Sequence, residues 1–473
     1  MSRRDFDVII IGGGGAGLAA AHAALAENCR VLLLEAGEAP GGSLALSGGV
    51  FYAAGTSVQR AAGIRDTPEA MFRFYMAVNH YCLDAAVIRR LCIEATPTFE
   101  WLVSLGMNFP EVQLYAAGLD GVRRGHRAAG LGREIADALE GALSGRPNLD
   151  IALRSRVTAI EHAGEGRVTG IRIGSERVSA NAVVIATGGF GANREMVSRY
   201  LPSTAIYGDW VWYIGAPTNR GDGIAMGLAA GGTVCGTDTG SIMLTPAFGN
   251  DYEPYIPGWF MFVSHEGRRF ADETIDYSVS SNLVRALPGG ECFALFDETA
   301  RLSSRPGSMT SKDQKNAYPF TSWTAERLAA MAEIGKVHRA ASLAGLAESA
   351  GINADRLLRT VDGYNRDCAA GVDTMFGKAA DLLKPLLTPP FYAVRLRPAV
   401  IGVTGAGLRT DAEARVLDDC DRPVAGLYAA GDTVGGIHGE VYVGGGAMIA
   451  SAITYGRIAG RNAARAAANT AAG

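Results

Sequence analysis

The sequence lacks any Cys-x-x-Cys pair. Its seven cysteines, at 29, 82, 92, 235, 292, 368 and 420, are scattered and odd in number, which argues against a disulfide framework and fits a reducing compartment. The missing Cys-x-x-Cys-His excludes a haem attached covalently to this chain. No uninterrupted apolar stretch approaches the ~20 residues of a membrane span. Blocks of like charge are missing too. The 44 Lys and Arg and 48 Asp and Glu are interspersed and leave a formal charge of −4, so the electrostatic footprint of a nucleic-acid binder is absent. What the chain does have is 473 residues with 48% apolar content, enough for two or three cores. A small molecule is the expected partner. The N-terminal "MSRRDFDVIIIGGGG" reads as a first strand and turn rather than an export signal, because Asp5 and Asp7 interrupt its short apolar core. The cytoplasm is the expected location.

Glycine carries the first positive signal. "FDVIIIGGGGAGLAAAHAALAENCRVLLLEAG" is a β-branched run, a glycine turn, an alanine-rich helix, a second apolar run and Glu35. In the spacing Gly12-x-Gly14-x-x-Gly17, Gly12 permits the tight turn, Gly14 lets a pyrophosphate approach the backbone and Gly17 allows close helix–strand packing. Glu35 ends the second strand, where a carboxylate accepts ribose hydroxyls. The pattern predicts a dinucleotide seated on a helix N-terminus.

The C-terminal half separates FAD from NAD. "RPVAGLYAAGDTVGG" ends a strand in Gly431-Asp432 and resembles the second flavin fingerprint of FAD enzymes, whose aspartate binds the ribityl chain. By the same resemblance "VVIATGGFG" (183–191) crosses near the cofactor, and no second G-x-G-x-x-G supplies a separate NAD(P)H domain. Because Asp432 and Gly12 must touch one FAD, the nucleotide domain is discontinuous. The expected fold is α/β: a Rossmann-like FAD-binding domain over 1–236 and 389–473, with an inserted α+β substrate or capping domain over 237–388. Within that insertion Asn353 reads as an N-cap, followed by Leu357, Leu358, Val361 and Tyr364 at helical spacing, and 302–321 has loop composition.

With these pieces placed, the chain resembles the fumarate reductase/succinate dehydrogenase flavoprotein superfamily over its whole length, and within it the 3-ketosteroid dehydrogenases. The motifs are the paired FAD signatures, "TNRGDGIAMGLAAGG", "EGRRFADE" (266–273), "TVDGYNRDCAAGVDTMFGK" (360–378), "TGAGLRTD" (404–411) and "ITYGRIAGRNAA". The resemblance implies FAD contacts at Ala36 beside Glu35, at Gly42, Ser43, Ser47, Gly48 and Gly49 near the flavin ring, and at Val157. It adds Thr187 and Gly188 on the crossing strand, Asp222, and Ala447 and Ile449 at the last helix. Succinate dehydrogenase flavoproteins attach their flavin through a histidine in the 41–50 segment; "GGSLALSGGV" has none, so the FAD is expected to be non-covalent.

Two positions set the expected chemistry. Fumarate reductases carry one arginine a few residues after the G-x-R-F-x-x-E segment and a second in the final glycine loop. Here Tyr277 and Tyr442 stand at those positions, and a dicarboxylate loses its bidentate partner. The resemblance to ketosteroid dehydrogenases implies that Tyr442 and the N–H of Gly446 hold a substrate ketone while Tyr277 removes the neighbouring proton. An unperturbed tyrosine has a pKa of about 10, so Tyr277 needs help, and Tyr115 in "EVQLYAAG" is the candidate. His438 survives from the H-G-x-x-R pattern of the reductases and is a candidate substrate contact. Asp272 and Glu273 read as structural. The expected substrate is a small hydrophobic ketone or enone, possibly a steroid, with an external electron acceptor or donor. Two alternatives stay open: an ene-reductase of an α,β-unsaturated carbonyl compound, and a flavin electron-relay subunit.

Overall fold

The computed structural model describes residues 4–163, 166–249, 254–304 and 322–472. From residue 305 on, the loop expected over 302–321 lies outside the described residues. The chain divides into two compact units, one of residues 1–202, 215–241 and 402–473, the other of residues 203–214 and 242–401.

The first unit is built on an eight-stranded sheet. At its centre Phe6–Ile11 lies parallel between Val31–Leu34 and Glu176–Ile185, with Val8 opposite Val31 and Ala182. Pro423–Ala429 adds to Glu176–Ile185 in parallel, pairing Leu427 with Val183. Parallel strands covered on both faces read as continuous apolar runs, which is why "VIII", "VLLL" and "AVVI" lack alternation. The helices Gly15–Ala26 and Ala447–Ala472 pack backbone against backbone. A Cβ on Gly456 would lie 2.3 Å from the Ala16 carbonyl oxygen, and one on Gly460 2.1 Å from that of Ala20. A smaller three-stranded sheet sets Val50–Tyr52 and Leu114–Tyr115 on either side of Gly125–Arg127.

The second unit is organised by Phe391–Thr404, which pairs antiparallel with Cys292–Asp297 from Cys292↔Leu396 to Asp297↔Phe391. Along "CFALFD", Cys292, Ala294 and Phe296 enter one apolar cluster and Phe293 and Leu295 another, the period-two signature of a strand buried on both faces. This pairing takes residues 391–401 into the second unit, and Trp212, opposite Val400, brings 203–214 with it. Residues 203–214 and 389–401, expected in the nucleotide domain, thus fall in the second unit, and residues 237–241, expected in the insertion, fall in the first. Asn353 caps the helix Ala354–Ala370, which buries Leu357, Val361 and Tyr364 but leaves Leu358 exposed. Trp259, Phe260 and Phe262 are core.

Candidate active site

The nucleotide turn of the first unit is shaped by what its glycines exclude and admit. Gly12, at φ +104°, would carry a Cβ 2.3 Å from the Ala186 carbonyl oxygen, and Gly17 one 1.8 Å from the carbonyl of Gly12. Gly14, one residue before the helix Gly15–Ala26, meets nothing within 4 Å. Two glycines are therefore required by close packing and the third faces open space at a helix N-terminus, the arrangement a diphosphate needs. Buried Glu35 accepts the Gly13 amide through Oε2 and the Gly37 amide through Oε1, both at 2.7 Å. A carboxylate has about four lone-pair sites, so these bonds brace the turn without exhausting it. Ala36 beside it is half-buried.

Several of the remaining cofactor candidates are joined by hydrogen bonds or close packing. Thr187 Oγ1 lies 2.9 Å from Thr433 Oγ1, which donates to the Gly188 carbonyl at 2.7 Å. Gly188, at φ +73°, would drive a Cβ to 2.4 Å from Asn219 Oδ1. Ser43 Oγ accepts the Ala216 amide at 2.9 Å and the Asn219 side-chain amide at 3.1 Å. Ser47 Oγ donates to Leu44 and accepts the Gly49 amide. Gly42 opens the helix Gly42–Leu46, and Gly48 faces open space. Burial pushes the Asp432 carboxyl, in the turn after Gly431, up to about 6. Hydroxyl donors such as those of a ribityl chain are what a buried carboxyl of this kind lacks. Asp222 instead starts the helix Asp222–Ala229 and is ion-paired with Arg156. Val157 and Ala447 are buried, and Ile449 lies two residues into the last helix.

Tyr442, Gly446, Tyr115 and His438 come together in this unit. The glycine loop packs on the three-stranded sheet: the Gly445 amide donates to Ala117 at 3.0 Å. A Cβ on Gly446, at φ +91°, would lie 2.5 Å from the Val50 carbonyl, and one on Gly445 2.9 Å from the Tyr115 hydroxyl. Tyr442 is buried, its hydroxyl oxygen accepting the Met448 amide at 3.0 Å. Its ring centroid is 5.0 Å from that of His438. His438 is itself buried, with Nε2 2.9 Å from Met448 Sδ and Nδ1 without a partner. Burial drives its pKa down to about 3, so the imidazole is neutral.

Tyr277 belongs to the other unit, as the first residue of the helix Tyr277–Ala286. Asp276 caps that helix through the Ser278 amide at 2.9 Å. Glu273 lies in a buried ionic cluster: Arg269 donates to it at 2.8 and 2.9 Å and to Asp373 at 2.8 and 2.9 Å. Lys378 Nζ sits 3.1 Å from Glu273. Asp272 accepts the amide and hydroxyl of Thr274.

Sequence reasoning missed two residues of the first unit. Asn79 accepts the Val441 amide at 3.1 Å and crowds Gly439, so it fixes the approach to Tyr442. Arg127 stacks over the Tyr115 ring, 5.2 Å from its centroid. Neither sits in a recognisable motif, and no local pattern in "GHR" marks its arginine as buried.

The glycine turn, the crossing strand and the partly buried Asp432 together point to a dinucleotide-binding flavoprotein. The family model described as FAD binding domain matches residues 7–449, and the chain belongs to that family, within the fumarate reductase/succinate dehydrogenase flavoprotein superfamily. It is an FAD-dependent oxidoreductase acting on CH–CH bonds. A probable fumarate reductase of Shewanella frigidimarina is 30% identical over 469 residues, covering 97% of this chain and 74% of that protein. A 4-oxocyclohexanecarboxylate 2-dehydrogenase of Sinomonas cyclohexanicum is 29% identical over 558 residues, covering 98% and 93%. Among solved structures, a 3-ketosteroid-Δ4-(5α)-dehydrogenase of Rhodococcus jostii RHA1 in complex with 4-androstene-3,17-dione superposes with a TM-score of 0.78 at 25% identity, covering 98% of each chain. No helix among the described residues is long and apolar enough to cross a membrane.

Proposed function

We propose that this chain holds FAD non-covalently and dehydrogenates the carbon–carbon bond beside a ketone, in the manner of a 3-ketosteroid dehydrogenase, on a hydrophobic cyclic ketone. The observation that carries the reading is the tether on Tyr442. Its oxygen accepts the Met448 amide, which fixes the phenol at the start of the last helix, and in this reading the phenol O–H is donated to the substrate carbonyl. With the N–H of Gly446, two donors then meet one substrate oxygen, and each preorganised donor in such a site stabilises a developing enolate by about 3–4 kcal/mol. The neighbouring His438 is neutral, so this phenol and imidazole offer no counter-charge to the second carboxylate of fumarate or succinate.

In this reading removal of the proton beside the ketone falls to Tyr277, the first residue of its helix. Bound FAD supplies the hydride acceptor at N5. The substrate thus loses one proton and one hydride and leaves as an enone, and an external acceptor reoxidises the cofactor. The similarity to 4-oxocyclohexanecarboxylate 2-dehydrogenase and to the ketosteroid dehydrogenase supports this direction. The similarity to a probable fumarate reductase supports the reverse one, reduction of an enone at the same site.

The test is anaerobic mixing of the FAD-loaded protein with saturated 3-ketosteroids and cyclohexanones. Bleaching of the flavin absorbance is expected. Reduction of enones by the dye-reduced protein, with no bleaching by any saturated ketone, would replace the dehydrogenase by the reductase. No reaction in either direction would favour an electron-relay subunit.

A further inference from the structure

Two arginines leave the same short strand region with opposite surroundings. Arg124 is held by Asp66 at 2.7 Å and Asp120 at 2.6 Å. Arg127 is nine-tenths buried, yet among the described residues it makes no ion pair, and its Nε is enclosed without a hydrogen-bond partner. A guanidinium is rarely buried without an anion to meet.

The strand register says which way it faces. Arg127 lies opposite Val50, and Gly125 opposite Tyr115, so Val50, Tyr115 and Arg127 share one face of the three-stranded sheet. The glycine loop packs on that face, with Val50 against Gly446 and the Tyr115 hydroxyl against Gly445. One residue on, the Ala128 amide donates to Gly49 at 2.9 Å, tying the strand to the 41–50 segment. His126, on the other face, is packed on Phe99 and bonded to Thr56. Arg127 therefore stands where the segment at the flavin ring and the start of the last helix converge.

We propose that Arg127 is the counter-charge of the flavin's N1–C2=O edge and holds the negative charge that arrives with the hydride. The assignment rests on the proposed function and on the ring lying beside residues 41–50 and the last helix, as the family resemblance implies. The balance is simple: a hydride adds to N5 with both electrons of the broken C–H bond, no proton reaches N1, and the ring gains one negative charge opposite the guanidinium. A cation there makes the flavin a stronger oxidant, as removing hydride from a saturated ketone demands.

Sulfite tests this without substrate or turnover, because it adds to N5 and leaves the same negative charge on the ring. In the FAD-loaded protein, Arg127→Gln is expected to weaken sulfite binding about tenfold, and to lower the two-electron midpoint potential by the roughly 30 mV that a tenfold change represents. Arg127→Lys, which keeps a charge but loses the planar fork, should stay within about threefold of the parent. The unmutated protein gives an independent reading: its midpoint potential should follow one proton per two electrons on the acid side of neutrality. Two protons would overturn the assignment even if Arg127→Gln failed to fold. Unchanged sulfite affinity in loaded Arg127→Gln would overturn it too, as would an effect confined to the KM of carboxylate-bearing ketones, which would assign the guanidinium to substrate. A parent chain that bound no FAD would remove the cofactor site along with it.

Discussion

Each unit buries charged or polar chemistry, but the two do so differently. In the second unit Arg269, Glu273, Asp373 and Lys378 are almost wholly enclosed and satisfy one another, two positive groups against two negative, with Arg269 also lying near the rings of Tyr364 and Phe376. The arginine holds the Asp373 carboxyl well below the usual carboxylate range. The first unit also pairs Arg124 with Asp66, but its Arg127 and His438 are buried without a charged partner, and Asp432 is partly buried without one. A closed ionic cluster is complete without a ligand and fixes local architecture. Buried polar groups left short of partners mark the place where a ligand finishes the structure.

The comparison can be broken most directly at Arg269. Arg269→Ala leaves two buried carboxylates to one lysine and is expected to cost about 3–5 kcal/mol of stability, read as a fall in the urea midpoint. If the loss were under 1 kcal/mol, the cluster would not be the closed unit described.

Asp432 offers the opposite test. Burial pushes its carboxyl up to about 6 in the folded chain, above the ordinary aspartate pKa of about 4, so between those limits the native chain holds a proton that the unfolded chain has released. The group therefore penalises the apoprotein by an amount that grows as pH rises through this window and levels above it, on the order of 3 kcal/mol. Apo Asp432→Asn should be more stable than the parent at pH 7 and lose this part of the pH dependence, while FAD retention should weaken. Equal unfolding midpoints for parent and variant at neutral pH would show that the carboxyl is not strained by burial.

Tyr442→Phe keeps the ring against His438 and removes only the hydroxyl. About a hundredfold loss in kcat with the flavin spectrum intact is expected, the size of one oxyanion donor; full activity would remove Tyr442 from the chemistry. The smallest effect belongs to Asn79→Ala, which deprives the Val441 amide of its acceptor. It should cost about 1–2 kcal/mol and slow turnover severalfold through the displaced loop, with FAD affinity unchanged.

Much of this was legible before any fold was known. Gly12, Gly14 and Gly17 were legible from their spacing, and Asn353 and the face of Leu357, Val361 and Tyr364 from a cap and the period of a helix. Leu358, adjacent to that face, shows the grain of such reading: periodicity gives a stripe, and only packing says where its edge lies. Tyr442 stood out as a candidate because a single phenol among glycines leaves few other side chains at that place. Arg127 was not, since nothing within its own strand distinguishes a guanidinium with an aspartate partner from one without.

The sequence by itself determined the βα unit and the helix caps, because each depends on residues a few places apart and on backbone freedom that glycine confers, and it indicated the cofactor class through two such local motifs, at Gly12–Gly17 and Gly431-Asp432. Tertiary structure decided which unit owns residues 391–401, that Glu35 braces the turn it serves, and that Arg127 faces the glycine loop without an anion. Those are matters of contact between Val50 and Gly446, or Cys292 and Leu396, whose meeting depends on sheet register and close packing, and no local pattern along the chain encodes who lies opposite whom.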